Sequence, residues 1–293
     1  MRDQAEKLRI LARTIKNQVE SEIKGNGKKT RIIAVTSGKG GVGKTNFTIN
    51  FALSLMAYGQ KVIVLDADLG LANIDVILGI SPKYNLYHVL KGEKTIQEII
   101  VPGPQGLQII AGGSGIQELA NLRRWQVEQF IAKLGELEGL ADILIIDTAA
   151  GLSRNVMSFV LAADEVIVIT TPEPTAITDA YGLVKVMTTK KKNGVIHLVV
   201  NKVENAREAD VTATKLSIVA EKFLKLNIGS LGFILDDPSV SKAVKSQEPF
   251  VLKYPKSPAT ACVQKLAAQL MEQEYAEPSG IKSFFNRLSN FFG

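Results

Sequence analysis

Arg31-Ile32-Ile33-Ala34-Val35-Thr36-Ser37-Gly38-Lys39-Gly40-Gly41-Val42-Gly43-Lys44-Thr45-Asn46 is the stretch on which the reading of this chain turns. Its first six residues are an apolar, β-branched run that predicts a buried strand over 31–36. The rest matches G-x-x-x-x-G-K-[ST] from Gly38 to Thr45, and a helical pattern follows over 46–58. Strand, glycine-rich loop and helix is the context that this motif requires. Glycines let successive backbone N–H groups turn inward around phosphate oxygens, and the helix adds its positive end. Gly38, Lys39, Gly40, Gly41, Val42, Gly43, Lys44, Thr45 and Asn46 are therefore the candidate phosphate-binding residues. Lys44 is placed over the β- and γ-phosphates, with the Thr45 hydroxyl as a Mg²⁺ ligand.

Outward from this loop, short apolar runs alternate with helical patterns. Strands are predicted over 31–36, 61–66, 107–111, 142–147, 165–170, 195–201 and 229–235, and helices over 46–58, 119–134, 154–162, 178–189, 209–224 and 259–274. The fold class this implies is α/β: a doubly wound, mostly parallel sheet with helices on both faces. Its strand C-termini gather on one edge, where ligands bind. That edge receives Asp66 and Asp68 after Val62–Leu65, Asp147 after Leu144–Ile146, and Asn201-Lys202 after Leu198–Val200. One such acid alone reads as a turn cap, but three beside a phosphate loop read as functional, with Asp147 placed to hold Mg²⁺ through water. Asn201 offers a side-chain amide to an adenine edge.

The 293 residues are 46% hydrophobic and 22% charged, an ordinary globular composition. A single cysteine, Cys262, excludes an internal disulfide framework and a CxxC metal cluster. No run approaches the roughly 18 apolar residues of a spanning helix, which points to a cytoplasmic protein. The net charge is +6, yet nine Lys/Arg against four Asp/Glu fall within residues 1–31, leaving the remainder at +1. A nearly neutral body argues against a DNA-coating face. His88, His197 and Cys262 read as structural, and Lys190-Lys191-Lys192 as a solvated turn.

Lys39, five residues before the motif lysine, carries a more specific likeness. Gly38 to Thr45 resembles the deviant Walker A loop of the MinD/ParA ATPases, and the likeness extends through Leu65–Asn73, Asp147–Gly151, Thr171–Pro174 and Asp236–Val240. The resemblance implies ATP and Mg²⁺ as ligands and an ATP-bound homodimer in which Lys39 crosses to the partner's nucleotide. It implies that Lys44 and Asp147 act with Lys39 in catalysis, Asp68 orients the attacking water, Asp66 supports the Mg²⁺ shell alongside Thr45 and Asp147, and Asn201 contacts adenine. Asn46 departs from the second Thr or Ser of many members.

Both ends differ in character from the body, dividing the chain into 1–29, 30–277 and 278–293. Ala5, Leu8, Ala12, Ile15 and Val19 recur at helical spacing behind a D-x-x-E cap, and Lys24–Lys29 forms a glycine-containing linker. Asp3-Gln4-Ala5-Glu6-Lys7-Leu8-Arg9 resembles the activator motif of the FlhG (FleN) branch of MinD-like flagellar regulators. That likeness implies stimulation of the GTPase FlhF through Asp3, Gln4, Leu8 and Arg9, and a body that meets the flagellar C-ring proteins FliM and FliN/FliY; spacing alone also allows a helix docked on its own domain. At the other end, Ile281, Phe284, Phe285, Leu288, Phe291 and Phe292 share an arc of about 120° at roughly 100° per residue. Flanked by Lys282 and Arg287, this arc predicts an interfacial helix on an anionic membrane surface at the inner face of the cell membrane. A helix folded onto the body is the competing expectation. Competing functions are a ParA-type DNA partition ATPase, a MinD-type division-site regulator and a small-molecule P-loop ligase.

Overall fold

A computed structural model describes residues 29–68, 74–113, 124–190, 195–273 and 278–291. Eight strands form one sheet: β1 (Arg31–Ser37), β2 (Val62–Ala67), β3 (Ile100–Pro102), β4 (Gln108–Ala111), β5 (Ile143–Ala150), β6 (Glu165–Thr170), β7 (Val195–Val203) and β8 (Gly229–Leu235), in the order β3-β4-β2-β5-β1-β6-β7-β8. All neighbours are parallel except β3, which pairs antiparallel with β4. The seven strands read from sequence are present. β3 escapes that reading because three residues ending in proline show no periodicity, and an edge is where a strand proline is tolerated.

The helices among the described residues are α1 (Lys44–Met56), α2 (Ile74–Leu78), α3 (Leu86–Leu90), α4 (Arg124–Leu134), α5 (Arg154–Ala162), α6 (Pro174–Thr189), α7 (Ala206–Leu224), α8 (Pro238–Lys245), α9 (Phe250–Lys253), α10 (Pro258–Glu272) and α11 (Ile281–Ser289). Every residue of β1, β2 and β6 is buried, because helices cover both faces of the sheet. Alternation along β1 sorts the two cores. Ile32 and Ala34 join a cluster with Phe130, Phe159, Leu183 and Phe284 from α4, α5, α6 and α11. Ile33 and Val35 join the other, with Phe47, Phe51, Phe250 and Leu266 from α1, α9 and α10. The short helices α2, α3, α8 and α9 carry too few turns for helical periodicity to register in the sequence.

At the N-terminal edge of the sheet, away from the phosphate loop, charge is buried. Arg31 of β1 forks onto Glu165 of β6 through Nε and through Nη2 at 2.7 Å, and His197 Nε2 of β7 lies 2.9 Å from Glu165 Oε2. His197 is thus structural, as its strand position predicts. Burial opposes the charge on Glu165, but hydrogen bonds from His197 and Arg31 and the guanidinium charge outweigh it, holding the carboxyl at about 2. Three adjacent strands are pinned in register at one carboxylate.

Glu165→Gln breaks this buried set, and we expect chemical denaturation to show a loss of about 3–5 kcal/mol. Because the native pKa lies below the unfolded one, the carboxylate's contribution is complete above about pH 4.5 and disappears as pH falls toward 2. Wild-type stability should therefore fall more steeply than the variant's across that window.

Candidate functional site

β1 delivers the chain to the loop in the middle of the sheet, between β5 and β6. Gly38 is required there: a Cβ would sit 2.3 Å from the Asp179 backbone of α6. Gly43 takes φ +97° as the N-cap of α1, with no side-chain cap and no acidic residue in the first turn. The start of α1 thereby presents backbone donors and a positive dipole to an anion. A Cβ on Gly43 would meet Asn201 Nδ2 at 2.5 Å.

Lys44, Thr45 and Asp147 come together at this helix end. Lys44 is buried, which lowers its pKa against the opposing pull of Asp147 and Asp68. Asp147, inside β5 and three residues before its end, is 1% exposed. Burial and the neighbouring Asp66 raise its pKa to about 7, against the lowering effect of hydrogen bonds from Thr45 and Thr48. A carboxyl so disfavoured as an anion is suited to a site that receives a cation. Magnesium keeps several waters and needs few protein oxygens beside phosphates; Thr45 and Asp147 would offer such oxygens, so the residues present fit that ion.

Asp66 pairs in register with Asp147 across β2 and β5, and its carboxylate accepts backbone amides. Oδ1 accepts the Asp68 amide at 3.0 Å and Oδ2 the Ile74 amide at 3.3 Å. These two bonds are those of a turn cap, the other role the sequence allows for Asp66. Asp68 lines the cavity beside Lys44 and Thr45.

That cavity, about 810 Å³, runs from the loop to a wall made by Asn201, Lys202 and the turn from β8 into α8, including Ile234, Leu235 and Val240. Its size suits a nucleotide-sized ligand. Asn201 donates to the Val42 carbonyl at 2.7 Å, and its Oδ1 accepts the Lys202 amide at 2.9 Å. Lys202, at φ +57°, donates to the Gly41 carbonyl at 2.9 Å. Asn201, the residue expected at adenine, thus lies on the cavity wall and braces the glycine-rich loop through Val42.

Gly40, Gly41, Gly43 and Asn46 also line the cavity; Gly38, Lys39 and Val42 are not among its lining residues. Val42 is buried and contributes its carbonyl to Asn201. Lys39 pairs with Glu173 Oε2 at 2.7 Å and Thr175 Oγ1 at 3.0 Å, at the start of α6. The side-chain hydrogen bond from Lys39, then its charge, lowers the Glu173 pKa.

Sequence reasoning overlooked Thr48 and the loop-bracing role of Lys202. Thr48 was findable, since it lies three residues after Thr45 on the same face of α1. Lys202 was not, because its contact depends on a left-handed backbone that no motif announces.

The described part of the C-terminal arc takes the competing arrangement, docked on the body. Ile281, Phe284, Phe285 and Leu288 are at most 3% exposed, packed on α4 and α5, with the Phe284 ring 6.3 Å from Phe159. Phe291 is partly buried, and its carbonyl accepts from Arg154 Nε at 2.9 Å. In this conformation the arc faces protein and is not open to lipid. Arg287, expected to flank a lipid face, donates from Nε to the Ala162 carbonyl at 2.8 Å and from Nη2 to Asp164 at 3.2 Å. Glu138 accepts the Ile281 amide at 2.6 Å and the Thr30 amide at 2.7 Å. Phe292, and Asp3, Gln4, Leu8 and Arg9 of the predicted activator segment, lie outside the described residues.

Comparison with known proteins supplies independent findings. Residues 28–271 match a family model described as ParA, NUBPL iron-transfer P-loop NTPase. The chain is 37% identical over 262 residues to the antiactivator FleN of Pseudomonas aeruginosa, spanning 89% of this chain and 94% of that protein. It is 37% identical over 277 residues to the flagellum site-determining protein YlxH of Helicobacter pylori, spanning 92% of each. Among solved structures, the septum site-determining protein MinD of Pyrococcus horikoshii complexed with Mg-ADP has a TM-score of 0.66 at 27% identity, spanning 83% of this chain and 96% of that one.

Gly43→Ala places a Cβ at φ +97° against Asn201. Left-handed backbone alone costs about 1–2 kcal/mol for a non-glycine residue. Calorimetric titration with ADP should show at least about a tenfold loss of affinity.

Proposed function

The chain belongs to the ParA/MinD family of P-loop NTPases and is a MinD-like ATPase; from that premise, we propose that it controls flagellar number or placement as an ATP-operated switch between monomer and membrane-associated dimer. The observation that carries the flagellar branch is the near full-length similarity to FleN and YlxH. The residues supply the switch. Lys44 and the backbone donors of Gly43 and its neighbours hold the β- and γ-phosphates. Bound Mg²⁺, held by Thr45 and through water by Asp147, would neutralise charge on the transferring phosphoryl group. Asp68 orients the attacking water, and Asn201 keeps the adenine end closed against the loop. Lys39 exchanges the Glu173 carboxylate for the phosphates of the partner subunit, so dimerisation completes the site and hydrolysis dissolves it.

α11 gives the switch its output. Four apolar side chains are worth roughly 1.5–3 kcal/mol each when fully buried, and a lipid interface replaces much of that burial. The balance between docked and lipid-bound tails then rests on smaller polar differences at Arg287, Asp164 and Glu138, and on pairing two tails in one dimer. The N-terminal segment stimulates FlhF, and the body meets FliM and FliN/FliY. No described helix is long and apolar enough to cross a membrane, so attachment is peripheral.

Two other readings have specific observations against them. Iron transfer, named by the family model, relies on thiolate ligands in cluster carriers, whereas the chain has one cysteine and no three metal-ligating side chains converge among the described residues. A DNA partition role wants a basic body, and the charge excess lies in residues 1–31.

Two outcomes test the proposal. Phe284→Glu places a charge in the docked face and in the lipid-facing arc alike. It should abolish ATP-enhanced sedimentation with vesicles containing anionic lipid while ATP-dependent dimerisation, read by light scattering, persists. Deleting residues 1–22 should leave nucleotide binding intact and abolish stimulation of FlhF GTPase, and a peptide of those residues should restore it.

A further inference from the structure

On the ATPase reading, we infer that Thr48 is a positioning residue for the magnesium-binding acid, acting through Asp147 from one helical turn beyond the phosphate motif. The motif ends at Thr45 and assigns nothing to this position. Thr48 is fully buried in α1, at a depth where an apolar side chain of the same shape would pack without polar cost. A buried threonine hydroxyl in a helix ordinarily returns to the carbonyl four residues back; this one donates to Asp147 Oδ1 at 3.0 Å. Thr45, three residues earlier on the same face, hydrogen-bonds the same carboxylate. With two donors rising from one helix face, the carboxylate is fixed against rotation about its Cβ–Cγ bond. Its remaining lone pairs would then be presented to the water shell of a bound ion in one orientation. This is the outer-shell support that ligating groups need.

The test uses the full chain and a fluorescent ADP analogue titrated at a series of Mg²⁺ concentrations and in EDTA. Thr48→Val keeps the shape and removes the donor. It should raise the Mg²⁺ concentration for half-maximal effect about tenfold or more, while Thr48→Ser should stay within about twofold of wild type. Affinity in EDTA should be unchanged in both variants, because the phosphate contacts are intact. ATPase turnover of Thr48→Val should be depressed at limiting Mg²⁺ and recover at saturation. Should valine prevent folding, judged by the melting curve, Thr48→Ala against Thr48→Ser carries the same expectation. A Mg²⁺ dependence in the donor-less variant within about twofold of wild type, or a serine variant shifted as far as the valine one, overturns the inference. Wild-type protein that binds no nucleotide with or without Mg²⁺ overturns the ATPase reading itself, and this inference with it.

Discussion

The uncapped start of α1 is the constraint around which the molecule is arranged. A helix whose first N–H groups receive no side chain must find an anion or water. Here the surrounding structure favours the anion. Gly43 turns the chain in a left-handed conformation, Asn201 and Lys202 engage the Val42 and Gly41 carbonyls, and the Asp179 backbone of α6 closes against Gly38. None of these contacts delivers negative charge to the helix end. Lys44, buried beside Asp147, keeps a cation there at some cost in desolvation. A bound phosphate would answer both the helix end and the buried cation together.

The sheet makes this arrangement possible by being buried on both faces. Strands such as β1 then read as continuous apolar runs, and that is why they were legible in the sequence. The loop and the acids at strand ends were legible for a related reason: chemistry there demands particular residue types at fixed offsets. What stayed hidden depends on tertiary placement. Asp66 looks like Asp147 in sequence, a carboxylate after an apolar run, yet its oxygens accept the Asp68 and Ile74 amides, a placement no local pattern announces. The reach of Asn201 to Val42 spans elements far apart in the chain, and no local pattern encodes it.

The C-terminal arc shows a different limit. Amphipathicity records that one helix face needs an apolar neighbour, and says nothing of whether that neighbour is lipid or protein. The side chains that suggested lipid find α4 and α5, while Arg287 finds a carbonyl and a carboxylate instead of headgroups. A switchable tail needs this ambiguity, because a face suited to one environment alone would stay there.

Glu138 holds the Thr30 amide on one oxygen and the Ile281 amide on the other. The domain's first strand and last helix therefore begin within a few ångströms of each other, at the end of β1 remote from the phosphate loop. One carboxylate thus fixes the entry to the sheet and the entry to the last described helix at the same point. Removing the Glu138 carboxylate would release the start of β1 and the start of α11 together, because one side chain satisfies both amides.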